Sequence, residues 1–292
     1  MFMNDTFGDS ALRMSISVVI PYYNQPHQIQ ACLSALQSTL IEGDEIIVVD
    51  DASVYPLALN TEKIKYIRLK ENIGPSAARN KGVEAASNDF VAFMDADDIP
   101  LAERFNYQVK ALNDNPEWIA CVGDYIYIRG KVSVSSKKNK EQNYFDIRQK
   151  LLSGNMYAAG STLMFRKRFF LMLGGYDAQL RVYEDWDLLL RAANFGVVGH
   201  CGAEISLVIG STKRAGMESR INTLTALKKM HYESLLASEK KIFLSALAYE
   251  KISASSRGGA YMEALRALAI ALYYSPRQLL ARVFIRLFYG RP

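Results

Sequence analysis

The chain has 292 residues, half of them hydrophobic and 22% charged, which is enough apolar material for a sizeable core and too much for wholesale disorder. The net charge of +5 is small for this length, and much of it sits in two local stretches, Lys131–Lys140 and Arg277–Arg291, which argues against a nucleic-acid-binding face. Three widely separated cysteines, Cys32, Cys121 and Cys201, exclude a disulfide frame and a cysteine zinc site, and point to reduced thiols in a cytoplasmic protein.

Met1–Met14 has no apolar centre and carries Asp5 and Asp9, so it reads as a frayed tail and not as a secretory signal. Ile16–Ile20 and Glu45–Val49 are continuous β-branched runs, the pattern of strands buried on both faces. Between them Ile29, Cys32, Leu33 and Leu36 recur at helical spacing, with Gly43 as a stop. Ile64–Leu69 is a third strand, Pro75 opens a helix through Ala86, and Phe90–Met94 is a fourth strand. Pro100 is expected to begin a helix carrying Leu101, Phe105, Val109 and Leu112. Ile119–Ile128 reads as a strand, followed by the polar, aperiodic tract Gly130–Asn143, which is expected to be a mobile loop.

Ser161–Phe165 is expected to be a strand, Arg166–Leu173 a short helix closed by Gly174-Gly175, and Glu184–Phe195 a longer helix closed by Gly196. Ser206–Ile209 is the last strand, with His200 in an apparent strand region as a core or edge residue. Beyond residue 215 strand signals vanish, leaving helices near Asn222–Leu236, Glu239–Ser253, Tyr261–Tyr273 and Arg277–Tyr289. No apolar run reaches the ~18–20 residues that span a bilayer. The pattern predicts a three-layer α/β/α fold with a mainly parallel sheet. It divides into a tail (1–14), an α/β domain (15–214) and a helical C-terminal appendage (215–292).

Open α/β sheets bind ligands beyond the carboxyl ends of their strands. After the first strand comes Pro21-Tyr22-Tyr23-Asn24, after the second Asp50-Asp51-Ala52-Ser53, and after the fourth Asp95-Ala96-Asp97-Asp98. Residues two apart on an extended backbone point to one side, so Asp95 and Asp97 can face one divalent cation. Carboxylate oxygens suit Mg²⁺ or Mn²⁺, which would also bridge a nucleotide diphosphate. Glu184-Asp185 opens a helix, where acids also complement the helix dipole.

The segments Ser17-Val-Val-Ile-Pro-Tyr-Tyr-Asn24, Glu45-Ile-Ile-Val-Val-Asp-Asp-Ala-Ser53, Asn72-Ile-Gly-Pro-Ser-Ala-Ala-Arg-Asn-Lys-Gly82 and Met94-Asp-Ala-Asp-Asp98 follow one another in order. With Gly175-Tyr-Asp177 and Glu184-Asp-Trp-Asp-Leu188, they resemble the successive motifs of family-2 inverting glycosyltransferases with the GT-A fold, over about residues 15–200. The resemblance implies a nucleotide-sugar donor, most commonly uridine-linked, and inverting transfer to an acceptor hydroxyl. Pro21, Tyr23, Asp50, Asp51, Arg79, Asp95, Ala96 and Asp97 would then bind the donor. Asp97, with Asp95, would hold Mn²⁺ or Mg²⁺; Asp185 would be the general base; Glu184 and Trp186 would shape the acceptor pocket, with Trp186 stacking on a sugar face.

One departure follows the last strand, where many relatives carry Tyr-Arg and then a histidine. Here the segment is Val208-Ile209-Gly210-Ser211-Thr212-Lys213-Arg214, with Lys213 or Arg214 as candidate diphosphate contacts.

Leu280, Val283, Phe284 and Leu287 form a stripe at helical spacing with Arg282 and Arg286 opposite, a pattern that serves an interfacial membrane helix and a packed last helix equally well. A glycan or lipid-linked glycan acceptor, as in bacterial surface polysaccharide assembly at the inner face of the cytoplasmic membrane, would suit such contact. Two rival readings, a sugar nucleotidyltransferase and a catalytically inactive carbohydrate- or nucleotide-binding module, share the acidic strand ends. The first wants a glycine- and lysine/arginine-rich loop where this chain has Pro-Tyr-Tyr-Asn, and retention of Asp97 and Asp185 argues against the second. A nicotinamide enzyme is disfavoured because no Gly-x-Gly-x-x-Gly follows any strand.

Overall fold

The computed structural model describes residues 13–58, 64–130, 132–136, 144–155, 159–210, 215–277, 279–280 and 282–283. The first half runs β1 (Ile16–Tyr22), α1 (Pro26–Gln37), β2 (Glu45–Asp50), β3 (Ile64–Arg68), α2 (Pro75–Ala85), β4 (Phe90–Phe93), β5 (Ile99–Pro100) and α3 (Arg104–Asp114). Then come β6 (Trp118–Arg129), β7 (Val132–Ser135), β8 (Phe145–Asp146), α4 (Arg148–Leu152), α5 (Ala159–Thr162), β9 (Met164–Arg166), α6 (Lys167–Met172), α7 (Glu184–Phe195) and β10 (Val197–Ile209). Three long helices close the described chain: α8 (Met217–His231), α9 (Ala237–Arg257) and α10 (Tyr261–Tyr274).

One mixed sheet has the order β3-β2-β1-β4-β9-β6-β10-β5, with β7 added to β6 and β8 to β10. The pairs β1–β2, β1–β4, β2–β3 and β6–β10 are parallel, while β9 runs antiparallel between β4 and β6. Successive strand residues alternate between two cores. Val18, Ile20, Ile46 and Val48 face α1 and α3, and Val19, Ile47, Val49 and Phe93 face α2 and α7. Both faces are therefore covered, which is why these strands carry apolar residues without interruption.

Local expectations fail where a short polar or proline step intervenes. Ile99-Pro100 forms a strand antiparallel to β10, and the helix begins only at Arg104, because a residue preceding proline favours extended backbone. Ser161 lies in the helical turn α5, and the strand starts at Met164. Val132–Ser135, inside the expected loop, pairs antiparallel with β6; residues 137–143 lie outside the described ones. Arg13, within the expected tail, pairs with Asp44 at 2.6 Å.

The C-terminal helices are continuous with the main core. Leu224 and Leu227 of α8 and Phe243 and Ala246 of α9 are buried in the same cluster as Trp186, Leu188 and Leu151. Among the described residues no helix is long and apolar enough to cross a membrane.

Candidate functional site

The chain leaves β1 for β2 on one side and later returns to β4 on the other, so the strand order reverses between β1 and β4, where an open sheet offers a crevice. The loops after β1, β2 and β4 meet there. Asn24 and Ala52 both have positive φ (53° and 59°), and they are held by cross-bonds: Asn24 N donates to Ser53 Oγ, and Val54 N to Asn24 Oδ1, each at 2.9 Å. Tyr23 is exposed and Pro21 half-buried beside this crossing.

Asp50 and Asp51 both bond neighbouring segments of the chain. Asp50 is fully buried and accepts from Ser53 N (2.8 Å) and from the Tyr66 hydroxyl. Asp51 accepts from Ile73 N (2.7 Å) and Gly74 N (2.8 Å), tying the β2 end to the start of α2. Gly74 has φ 90°, and a Cβ there would meet Arg181 Nη1 at 2.7 Å, so only glycine lets that guanidinium approach the helix start.

The turn after β4 is fixed from beneath. Arg104, completely buried, donates to Phe93 O at 2.7 Å. Ser161 Oγ accepts from Asp95 N at 3.1 Å and donates to Asp98 Oδ2. Asp98 Oδ1 accepts Ile209 N at 2.7 Å, so both its oxygens bolt the turn to β5–β10, and burial with nearby Asp95 pushes its carboxyl up to about 8. Ala96 is buried, which turns Asp95 and Asp97 toward the crevice and leaves both partly exposed. Burial first, then the Asp95 charge, raises the Asp97 carboxyl above its ordinary range. A Cβ on Gly160 would fall 2.5 Å from Asp95 Oδ2, so glycine makes the seat of that carboxylate.

Arg79 joins this turn to α7. Its buried guanidinium donates to Asp95 Oδ1 at 2.6 Å, pairs with Glu184 Oε1 at 3.7 Å and lies over the Tyr176 ring at 5.2 Å. Burial works against the guanidinium charge, and Asp95, Tyr176, Asp185 and Glu184 more than restore it. Asp185 is pushed up to about 7, by burial first and by Glu184 second, with Arg79 and the facing Tyr176 hydroxyl pulling the other way. Even so, Tyr176 Oη, Asp185 Oδ1, Arg79 Nε and Arg79 Nη1 are buried without a hydrogen-bond partner. Each such group costs about 1–3 kcal/mol unless something bonds it, so the cluster is poised for a ligand. Tyr176 was visible beforehand only as the middle of Gly175-Tyr-Asp177.

Trp186 is a correction. It does not open on a sugar site: it is fully buried, donates Nε1 to Leu151 O at 2.9 Å and packs edge-on against Tyr183 and Phe243. As the third residue of α7 it points one-third of a turn away from Asp185, into the core. Trp186→Ala should therefore destabilise the fold by about 3–5 kcal/mol, read as a lower urea midpoint.

Asp187 is structural too. It receives Arg191 Nη2 at 2.7 Å and meets His231 Nε2 at 2.9 Å; burial alone would raise its carboxyl, but these partners bring it below the usual range. His200 is a core residue stacked on Phe145 at 4.6 Å. Lys213 and Arg214 lie outside the described residues.

Asp95 and Asp97 fit a divalent cation in two respects. Both carboxylates are partly exposed, the Asp95 charge strengthens the hold of Asp97 on positive charge, and Asp95 Oδ2 is not used by Arg79. Asp95, Glu184 and Asp185 share the single cation Arg79, with Asp97 on the same turn as Asp95, an acidic balance that does not favour a bare diphosphate. Among the described residues no set of three or more His, Cys, Asp or Glu side chains converges as a cage. A Mg²⁺-type ion can be held by one or two carboxylates, with phosphate and water completing its shell.

Residues 17–172 match the family model described as glycosyl transferase family 2, more than half of the chain. The chain belongs to glycosyl transferase family 2. This family 2 member is 29% identical over 189 residues to the amylovoran biosynthesis glycosyltransferase AmsE of Erwinia amylovora, covering 62% of this chain and 70% of that one. It is 25% identical over 185 residues to an uncharacterized glycosyltransferase of Haemophilus influenzae, covering 60% of this chain but only 61% of the relative. Among solved structures, S. aureus TarS 1–349 in complex with UDP matches with a TM-score of 0.67 at 17% identity, covering 90% of this chain and 81% of that one. At that identity the likeness shows a shared GT-A fold. The family match ends at Met172, so Glu184 and Asp185 rest on the geometry above.

Proposed function

We propose that this family 2 member transfers one sugar, with inversion, from a UDP-linked donor to a hydroxyl of a glycan or lipid-linked glycan, in the assembly of a bacterial surface polysaccharide. The observation that carries the reading is the Arg79 bridge. It brings the donor-side turn of Asp95 and Asp97 within one guanidinium of Asp185, whose carboxyl near pH 7 is matched to general-base work. The AmsE name supports the polysaccharide context, and the TarS complex supports UDP.

Asp185 takes the proton of the acceptor hydroxyl as its oxygen attacks the anomeric carbon, and the bond to the diphosphate breaks with its electron pair leaving on the diphosphate. A single base on the acceptor side suits inversion. Asp97 and Asp95 would hold Mn²⁺ or Mg²⁺, which supplies charge neutralisation for the leaving diphosphate. Tyr23 and Pro21 border the nucleotide end. Work at the inner face of the cytoplasmic membrane fits a lipid-linked acceptor.

Thermal shift with a panel of nucleotide sugars and Mn²⁺ tests the reading. A UDP-sugar at about 100 times its Kd should add about 2.7 kcal/mol of apparent stability. No shift with any member of the panel would overturn it.

A further inference from the structure

The last described helices carry an apolar surface that faces outward. On α10, Ala264, Ala267 and Ala271 are buried, and their small side chains let the helix pack closely on α9. The other side exposes Tyr261, Met262, Leu265, Leu272 and Tyr273, the last 83% exposed. At 3.6 residues per turn Tyr261, Leu265 and Leu272 stand in one row, with Met262, Arg266 and Tyr273 in the row beside it. A soluble helix ordinarily places such residues inward and charges outward, so this helix is amphipathic in the inverted sense.

The turn after it repeats the inversion. Arg282 lies opposite Leu280 and Val283 but packs inward, donating to Glu250 Oε1 at 2.6 Å and lying over the Tyr249 ring at 4.0 Å. Leu279 is buried against α9, while Leu280 and Val283 are exposed. Phe284, Arg286 and Leu287 lie outside the described residues.

We propose that the outward faces of α10 and of the turn carrying Leu280 and Val283 form a docking surface for an anionic lipid membrane. Charge selects this occupant over a second copy. Among the described residues from Tyr261 onward the arginines are Arg266, Arg277 and Arg282, of which Arg282 is taken by Glu250, and the single acid, Glu263, pairs with Lys251 at 3.5 Å. Arg266 and Arg277 are exposed. A two-fold contact between copies would bring these exposed arginines toward one another, whereas anionic headgroups neutralise them. Tyrosines at 261 and 273 suit the headgroup level, where one end of the ring is wet and the other apolar.

The inference does not depend on the donor or on Asp185. Its test is flotation of the full chain at low salt with neutral phosphatidylcholine vesicles and with vesicles holding roughly a third phosphatidylglycerol. The full chain should float with the anionic vesicles and lose binding as salt rises. The double variant Leu265→Asp, Leu272→Asp should float at least ~10-fold less, with an unchanged thermal melt because both positions are exposed. Arg266→Glu should weaken binding to the anionic vesicles alone. Absence of binding by the full chain, or equal binding by the double variant, would overturn the proposal. A concentration-dependent dimer that the double variant dissociates would overturn it too, making the face a contact between copies.

Discussion

Asp185→Asn lowers the rate of sugar transfer by about 10²–10⁴-fold, roughly 3–5 kcal/mol of barrier, while leaving donor affinity nearly unchanged. Asparagine keeps the size of the side chain and its fit beside Tyr176 and Arg79, but offers no oxygen that can take a proton. In the proposed reading donor contacts come from the other side of Arg79, so binding should not follow the rate. Turnover at saturating donor, with donor affinity measured separately on the same variant, separates the two. Were Asp185 only an acid in the first turn of α7, asparagine would serve almost as well; a rate within about threefold of the parent would return it to that role.

The same carboxyl sets two pH dependences. With Asp185 as the proposed base, transfer needs it ionised, so kcat/KM should rise with pH to a plateau above about 7. Tyr176→Phe keeps the ring between Phe93 and Phe170 and removes the hydroxyl that favours ionisation, so the rising limb should move to higher pH. Stability runs the other way. The native pKa lies above the unfolded value of 3.8, so the favourable contribution is complete below that pH and is lost as pH rises through about 7. Asp185→Asn escapes this loss. Its thermal melt should gain on the parent between about pH 4 and pH 8, and a gap that does not widen would mean the carboxyl is not held high.

Much of this site could be read before any coordinates, for a physical reason. Strands buried on both faces announce themselves as apolar runs, and the residues that end them, Asp50-Asp51 and Asp95 to Asp98, must lie at one sheet edge. What could not be read is the division of labour among those acids. Asp50, Asp51, Asp98 and Asp187 spend their oxygens on backbone and side-chain partners distant in sequence, such as Ile73, Ile209 and His231, and spacing carries no trace of such pairings. Trp186 misled because a tryptophan beside two acids looks the same whether it faces solvent or the core. Its orientation was decided by α9, through Phe243, which lies 57 residues further along the chain and shows no motif. Arg79 was flagged only through the family resemblance, since an arginine in a helix of low amphipathicity resembles any surface residue until Asp95 and Glu184 are placed around it.

Asp97→Ala should produce the opposite signature to Asp185→Asn, failing at donor binding before any chemistry. Asp97 is partly exposed and bonds only its own backbone and the Gln25 side chain, while Ser161 and Asp98 bolt the turn, so the fold should melt within ~1 kcal/mol of the parent. What it removes is one of the two carboxylates available to a divalent cation, leaving Asp95, half of whose charge is already engaged by Arg79. Loss of a direct ligand should cost more than the ~10–100-fold seen when an outer partner is removed. Calorimetry of UDP with and without Mn²⁺ reads this directly: the parent should gain affinity from Mn²⁺ and the variant should not. The raised Asp97 carboxyl adds a pH control, because a cation competes with the proton there, and the Mn²⁺ gain should fade on acidification sooner than for an ordinary aspartate. Asp98→Ala distinguishes ligand from scaffold. It removes the acceptor of Ile209 N and of the Ser161 hydroxyl, so that variant should melt lower and lose UDP binding whether or not Mn²⁺ is present. Undiminished Mn²⁺-enhanced binding in Asp97→Ala would place the cation elsewhere, with Asp95 alone left to anchor it on this turn.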